Sequence, residues 1–398
     1  MTLIMHQHIV KKPTVDYVSE ETPMQSYLNV HIALEQIRIE NAEKGLDGPK
    51  VMIVGPADVG KSSLAKILLN YAVKHGRQPV FVDLDPTEGT VAIPGTLTAT
   101  SIARPIDVED EFGASSATTG ISPIAYYYGY PNITDKPRLY SMLTTRMGAV
   151  IKKKLEDPDA RASGLIINTP SQFVESGGYE LLENAVQAFD GDIHCSSGPE
   201  LGVTDSATNN LANVILVLGH ERLYSELTKK YKGQDHISVV KLAKSGGVVS
   251  RDKAYRKETQ QQRIKEYFYG TSKNELSPYN SVVSFADAAI RRIGEGALAP
   301  SSALPLGMDR KVQETRVVAV QPGSILLHSI LALSQAAVPE TEISSEEETE
   351  LVIGTNLAGF VYINEVDEAK QKLNILVPNP GRLPKHYMIL GAQKWMET

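Results

Sequence analysis

Lys50–Lys74 reads KVMIVGPADVGKSSLAKILLNYAVK, and this stretch decides the fold. VMIVG is a continuous apolar run of buried-strand type, and LAKILLNYAVK carries apolar residues at helical spacing. Between them GPADVGKSS, Gly55 to Ser63, fits the pattern G-x-x-x-x-G-K-[ST] without a mismatch. Glycines at 55 and 60 let backbone N–H groups turn inward, and the first turn of the next helix adds unpaired donors and a positive dipole end. Lys61 is expected on the β- and γ-phosphates of a nucleoside triphosphate and the Ser62 hydroxyl on Mg²⁺. The whole loop is the expected phosphate cradle, Asp58, Val59 and Ser63 included.

At 398 residues the chain suits two or three domains. With 42% hydrophobic and 22% charged residues it reads as soluble and globular. No apolar run approaches the ~18 residues of a membrane span, and the opening MTLIMHQHIVKK is too short and polar for a signal peptide. The cytosol or nucleus is the expected compartment. A single cysteine, Cys195, excludes an internal disulfide framework and a cysteine-based zinc site. It lacks a positioned base and reads as an incidental thiol, and His6 and His8 in the terminus do not make a metal site alone. The net charge of -7 means that a nucleic-acid ligand would need a local basic patch.

Working outward from the loop, YLNVHIALEQIRIENAEKG predicts a helix ending at Gly45. After Lys50, the strands VMIVG, QPVFVDLD, GLIINTP, ANVILVLG and ISVVKLA alternate with helical segments such as KPRLYSMLTTRMGAVIKKKLED and GGYELLENAVQAF. That alternation is the signature of an α/β fold with a parallel sheet covered on both faces. From about Leu276 short alternating runs separated by Pro and Gly predict a small β-rich domain. The expected organisation is 1–49 as a residual amino-terminal segment and linking helix, 50–275 as the nucleotide-binding domain and 276–398 as the β-rich domain. SEEETE, Ser345 to Glu350, is expected to be a solvated acidic loop, and residues 190–211 an inserted flexible one.

Two further segments carry chemistry. FVDLDPTEG, Phe81 to Gly89, is a hydrophobic strand ending in carboxylates. Asp83 and Asp85 are expected on one face of it, with Asp85 nearer the carboxyl edge where ligands bind. Asp85 is the candidate for orienting the metal or for accepting the proton of an attacking hydroxyl. SGGVVSRDKAYRKETQQQRIKEYFYG, Ser245 to Gly270, places a glycine pair before Arg251, Arg256 and Arg263. It reads either as a lid bringing guanidinium groups onto phosphates or as an amphipathic surface helix.

No guanine-reading N-K-x-D follows a strand, and no long apolar run ends in D-E. A short strand ending in D-L-D soon after the first helix is the pattern of small-molecule and nucleic-acid kinases. YVSEETPMQSYLNVHIALEQIR, GPADVGKSSLAKILLNYAVKHGRQPVFVDLD, TVAIPGTLTA, ERLYSEL, KSGGVVSRDKAYRKE, RIKEYFYG and ALPLG together resemble the polynucleotide 5′-hydroxyl-kinase family, and within it the fungal-type pre-mRNA cleavage-factor branch.

The resemblance runs from about Tyr17 to the end. It implies an amino-terminal β domain, a central P-loop domain and a carboxyl-terminal β domain, the first missing or truncated here. It also implies ATP with Mg²⁺ on the loop, Ser62 and Asp85 at the metal, Asp85 as catalytic aspartate, and Arg251 and Arg256 as lid arginines. The implied setting is the nucleus, with a scaffold subunit of the Pcf-eleven type and other 3′-end processing subunits as partners and RNA as an open further contact.

Three departures from the active pattern weigh against catalysis. Pro86-Thr87-Glu88 stands where active members commonly carry a glycine-glutamine pair, and YYYGYPNITDK stands where they carry T-P-G-T-N. INTPSQFVESGGY lacks the expected base-stacking tryptophan and offers only Gln172 and Phe173, of which Phe173 is a partial substitute; stacking of this kind contributes roughly 1–3 kcal/mol per base. The favoured expectation is therefore an ATP-binding subunit of the cleavage machinery with weak or absent kinase activity. An active 5′-hydroxyl kinase and an unrelated P-loop ATPase are the alternatives.

Overall fold

The computed structural model describes residues 19, 21–106, 123–175, 177–190, 213–234, 236–271, 274–294, 314–381 and 383–397. Tyr17, His6, His8, Cys195, the ALPLG block and the 190–211 segment beyond Asp190 lie outside the described residues.

The elements run α1 (Met24–Glu43), β1 (Lys50–Val54), α2 (Lys61–Lys74), β2 (Val80–Asp83), β3 (Thr96–Ser101), β4 (Ile124–Tyr127), α3 (Pro137–Lys154), α4 (Pro158–Ser163), β5 (Leu165–Asn168) and α5 (Tyr179–Phe189). They continue with β6 (Asn213–Leu218), α6 (Glu221–Lys230), β7 (Ile237–Leu242), α7 (Lys253–Tyr269), β8 (Gly270–Thr271), β9 (Asn274–Glu275) and β10 (Tyr279–Ser284). The rest are β11 (Ile290–Ile293), β12 (Val317–Ala319), β13 (Ser329–Ala337), α8 (Ser345–Gly354), β14 (Leu357–Asp367), β15 (Lys372–Val377) and β16 (His386–Lys394).

The first sheet has the order β4-β3-β2-β5-β1-β6-β7. Strands β2, β5, β1, β6 and β7 are parallel, as the alternation of strands and helices predicts. All five residues of β1 and all six of β6 are buried, which is why these strands read as unbroken apolar runs. The edge differs from a purely parallel sheet: β3 pairs antiparallel with β2, and β4 antiparallel with β3. Thr96 and Thr98 face the interior there, so β3 lacks the apolar texture of a buried strand.

Helix α1 ends where Gly45 takes φ 69 and its N–H donates to the Ala42 carbonyl, a left-handed terminus that favours glycine. The helix is tied to the end of α4, just before β5, by Arg38, 1% exposed, whose Nε donates to the Ser163 carbonyl at 2.9 Å. Glu35 accepts from both Arg38 and Arg77.

The second sheet, β10-β15-β14-β13-β16-β11-β12, is antiparallel apart from the β11–β16 pair. One continuous hydrophobic core joins it to the first sheet, with Tyr127 of β4 packed edge-on against Phe360 of β14. The Ala125 N–H donates to Asn356 Oδ1 at 2.7 Å, and the Ala392 N–H to the Gly129 carbonyl at 2.7 Å. Trp395 is buried, stacked on Phe268 of α7 and edge-on to Tyr362, so the carboxyl-terminal sheet also anchors α7.

The acidic stretch 345–350 is the start of α8 rather than a loop. Ser344 caps it: its hydroxyl accepts from the Glu347 N–H while the Glu347 carboxylate accepts from the Ser344 N–H. Carboxylates in a first helical turn complement the positive dipole end, and Glu348 and Glu350 pair with Arg291 and Arg146.

Candidate functional site

Strand β1 hands the chain to Gly55, where a Cβ would stand 2.5 Å from the Leu218 carbonyl oxygen. No residue but glycine fits beside β6 at that point. Asp58 adopts φ 55 and Gly60 φ 91 before α2 begins at Lys61. The loop therefore wraps the amino end of a fourteen-residue helix, whose first amides lack intrahelical partners and are disposed to bind an anion. Val59 is buried against the core behind the loop, so it contributes backbone rather than side chain.

A cleft of about 310 Å³ opens in front of the loop. Asp58, Gly60, Lys61, Ser62 and Ser63 line one wall, Asp85, Thr87 and Glu88 a second, and Arg251, Tyr255, Arg256 and Gln260 a third. Lys61 is nearly buried and its Nζ donates to the Pro56 carbonyl at 2.9 Å. Burial pushes its pKa down, and the carboxylates of Asp85, Glu88 and Asp58 oppose that shift. The Ser62 hydroxyl donates to Glu88 Oε2 at 2.8 Å.

Asp85 lines the cleft and Asp83 does not. Asp85 Oδ1 accepts from the Thr87 N–H at 2.9 Å and from its hydroxyl at 2.6 Å. Burial, then the Glu88 charge, raises the Asp85 pKa, while Thr87 and Lys61 pull it back. Asp83 accepts from Asn168 Nδ2 at 3.0 Å and from the Asp85 N–H at 3.1 Å, and burial beside Asp85 raises its pKa to about 7. Asp83 thus braces the strand end from within.

The segment 245–270 closes the third wall. Val248 reaches to 3.0 Å from where a Cβ on Gly60 would lie. Asp252 caps α7 by accepting from the Tyr255 N–H. Arg256 Nη2 donates to both carboxylate oxygens of Asp58, at 2.7 and 2.8 Å, and the Arg251 N–H donates to Asp58 at 3.2 Å. Gln260 Nε2 adds a bond of 2.9 Å to the Thr87 carbonyl, so α7 touches both carboxylate-bearing walls. The Arg251 guanidinium lies 5.3 Å over the Tyr255 ring.

Asp58, Val59, Gly60, Lys61, Ser62 and Ser63 of the expected phosphate loop, Asp85 and both lid arginines border one cleft, while Gly55, packed against the Leu218 carbonyl, does not line it. Sequence reading missed Lys66, which also lines the cleft, Gln260 and the bond from Ser62 to Glu88. Lys66, five residues after Lys61 on α2, was the one with a visible signal. Among the described residues no group of three or more His, Cys, Asp or Glu side chains could hold a metal ion. No described helix is long and apolar enough to cross a membrane.

Phe173 is a correction. It is 0% exposed, and its ring packs edge-on against Tyr140 at 6.0 Å between centroids. A ring sealed in the core cannot stack on a nucleobase, so it does not replace the absent tryptophan. Tyr126, Tyr127 and Tyr128 of the YYYGYPNITDK segment are likewise buried. Tyr128 donates to the Asn132 carbonyl at 2.8 Å and accepts from the Lys136 N–H at 3.1 Å. The segment is packed into the fold through its tyrosines.

The loop and the sheet that carries it form a nucleotide-binding site. The family model for the mRNA cleavage and polyadenylation factor CLP1 P-loop matches residues 55–270, and that for the pre-mRNA cleavage complex II protein Clp1 matches residues 276–397. The model of the N-terminal β-sandwich domain of polyadenylation factor matches residues 4–41, and α1 supplies most of the described part of that span.

The CLP1 homolog of Arabidopsis thaliana is 39% identical over 391 residues, covering 96% of this chain and 79% of the relative. The mRNA cleavage and polyadenylation factor clp1 of Botryotinia fuckeliana is 37% identical over 402 residues, covering 98% and 80%. Among solved structures, a wild-type Clp1p–Pcf11p complex superposes with TM-score 0.76 at 28% identity, over 94% of this chain and 80% of the matched one. A second, concerned with the extended interface between Pcf11p and Clp1p and with ATP loss in a glycine-to-arginine point mutant, gives TM-score 0.77 at 28% identity over the same shares. The chain belongs to the Clp1 family of mRNA cleavage and polyadenylation factors.

Proposed function

We propose that this chain is an ATP-binding, non-catalytic subunit of the nuclear pre-mRNA cleavage complex, acting in endonucleolytic cleavage during polyadenylation-dependent 3′-end formation. One contrast carries the reading. It is supported by Asp58, Gly60, Lys61, Ser62 and Asp85 lining one cleft, while Phe173, the aromatic nearest in sequence to the expected base-stacking position, is sealed in the core.

The loop from Gly55 to Ser63, with Asp58, Val59 and Gly60, cradles the phosphates of ATP through its amides, and Lys61 leaves the Pro56 carbonyl to pair with them. Ser62 and Asp85 would hold Mg²⁺ there. A hydroxyl and a carboxylate suit a hard cation that takes its remaining ligands from phosphate and water. When bound, it would supply counter-charge to the triphosphate. A chain that keeps ATP without turning it over gains stability from it by mass action.

The partner in this reading is a scaffold subunit of the Pcf11 type, supported by the likeness to the two Clp1p–Pcf11p complexes at 28% identity. Domain limits at 49/50 and 275/276 belong to the same proposal. They are supported by the first sheet ending at β7 and the second beginning at β10.

The second reading, an active polynucleotide 5′-hydroxyl kinase, is favoured by one observation: Lys61, Asp85, Arg251 and Arg256 border a single cleft. In that case Asp85 accepts the proton of the attacking hydroxyl and the two arginines steady the transferring phosphoryl group. Extraction of the nucleotide retained by the purified chain, with identification of co-purifying polypeptides, tests the first reading. ATP and a cleavage-factor partner are expected; a chain bearing neither sinks it.

A further inference from the structure

We infer that Glu88 is a third oxygen donor of the cation corner and makes nucleotide binding conditional on a divalent cation. The inference rests on the nucleotide reading above and adds to it a residue that the loop motif does not contain. Ser62 follows the phosphate-loop lysine in the first turn of α2, and its hydroxyl donates to Glu88 Oε2 at 2.8 Å. Two neighbouring ligands of an octahedral Mg²⁺, each about 2.1 Å from the ion, lie ~3 Å apart. The two oxygens already stand at nearly that spacing.

The turn that carries Glu88 is held on both sides. Thr87 donates its amide and hydroxyl to Asp85, and its carbonyl accepts from Gln260 on the lid helix. Glu88 is therefore presented at the phosphate end of the cleft by a braced backbone. Its carboxylate faces a neutral hydroxyl at the point where a triphosphate would bring several negative charges. Without a cation the two repel; with one, the same carboxylate adds to the ligand set. A glutamine of the same shape keeps the bond to Ser62 and removes the charge.

The test measures the ATP dissociation constant of the full chain with saturating Mg²⁺ and again with excess EDTA, for wild type, Glu88→Gln and Lys61→Ala. Wild type is expected to bind ATP at least ~30-fold more weakly in EDTA, and Glu88→Gln to narrow that ratio about tenfold, mainly by tighter binding in EDTA. Mn²⁺ binding to the ADP-loaded chain, followed by electron paramagnetic resonance, is expected to weaken about tenfold in Glu88→Gln. ATP binding with the same Mg²⁺-to-EDTA ratio in both chains overturns the role of Glu88 and leaves the nucleotide reading standing. Equal, negligible ATP binding by wild type and Lys61→Ala in Mg²⁺ removes both.

Discussion

Arg256 holds Asp58 through one terminal nitrogen shared between both carboxylate oxygens, at 2.7 and 2.8 Å. The pair joins the lid helix to the phosphate loop across 198 positions of sequence. A phosphate entering the cleft offers Arg256 a competing partner. Partly exposed pairs contribute about 0.2–1 kcal/mol, so Asp58→Asn should raise amide exchange over residues 245–256 of the nucleotide-free chain by about 1.4- to fivefold. Saturating ATP should erase the difference. Equal exchange in both nucleotide-free proteins would show that the pair does not restrain the lid.

Lys61→Ala should lower ATP affinity by about 10- to 150-fold, the effect of losing one charge-assisted contact of ~1.5–3 kcal/mol. Circular dichroism should be unchanged, because among the described residues the Nζ of Lys61 bonds only a loop carbonyl. Titration calorimetry with Mg-ATP checks it; an affinity within a factor of two of wild type places the phosphates elsewhere.

Phe173→Ala should act on stability and not on RNA. A fully buried phenylalanine packed against Tyr140 costs about 3–5 kcal/mol on truncation. Urea unfolding should show that loss, while any affinity for a 5′-hydroxyl oligonucleotide should stay the same for the folded fraction. A selective loss of RNA binding at unchanged stability would contradict the placement of this ring.

His31, 3% exposed between Tyr71 and His75, has no hydrogen-bond partner for Nδ1 among the described residues. Burial first, then the charges of Arg38 and His75, hold its pKa below the ordinary imidazole value of 6.5. The unfolded chain takes up a proton below that value and the folded one resists it. Stability is thus fully present above pH 6.5 and lost as pH falls through the lower, folded-state pKa. The melting temperature should fall further between pH 7.5 and pH 5.5 in wild type than in His31→Phe. Parallel losses in the two proteins would show that His31 does not titrate with unfolding.

Much of this was legible in the chain because it is local. The phosphate loop is nine consecutive residues, and β1, β5 and β6 are buried on both faces and therefore written as apolar runs. Strands β3 and β4 escaped notice because buried threonines and tyrosines fill them, where packing outweighs composition. The start of α8 was misread for a different reason: its acidic residues look solvated, and the Ser344–Glu347 cap that makes them helical is a matter of backbone geometry. The contacts of Ser62 with Glu88 and of Asp58 with Arg256 cross 26 and 198 positions. Residue type could nominate their members, but the pairing exists only once the sheet and the lid are assembled.

The proposal that this is a nucleotide-holding subunit rather than a kinase is most directly tested by transfer of labelled γ-phosphate from ATP to a 5′-hydroxyl RNA oligonucleotide, with Lys61→Ala alongside. The expected result is stoichiometric ATP retained on the wild-type chain and no label on RNA above the level of Lys61→Ala. Multiple-turnover labelling that Lys61→Ala abolishes would contradict it.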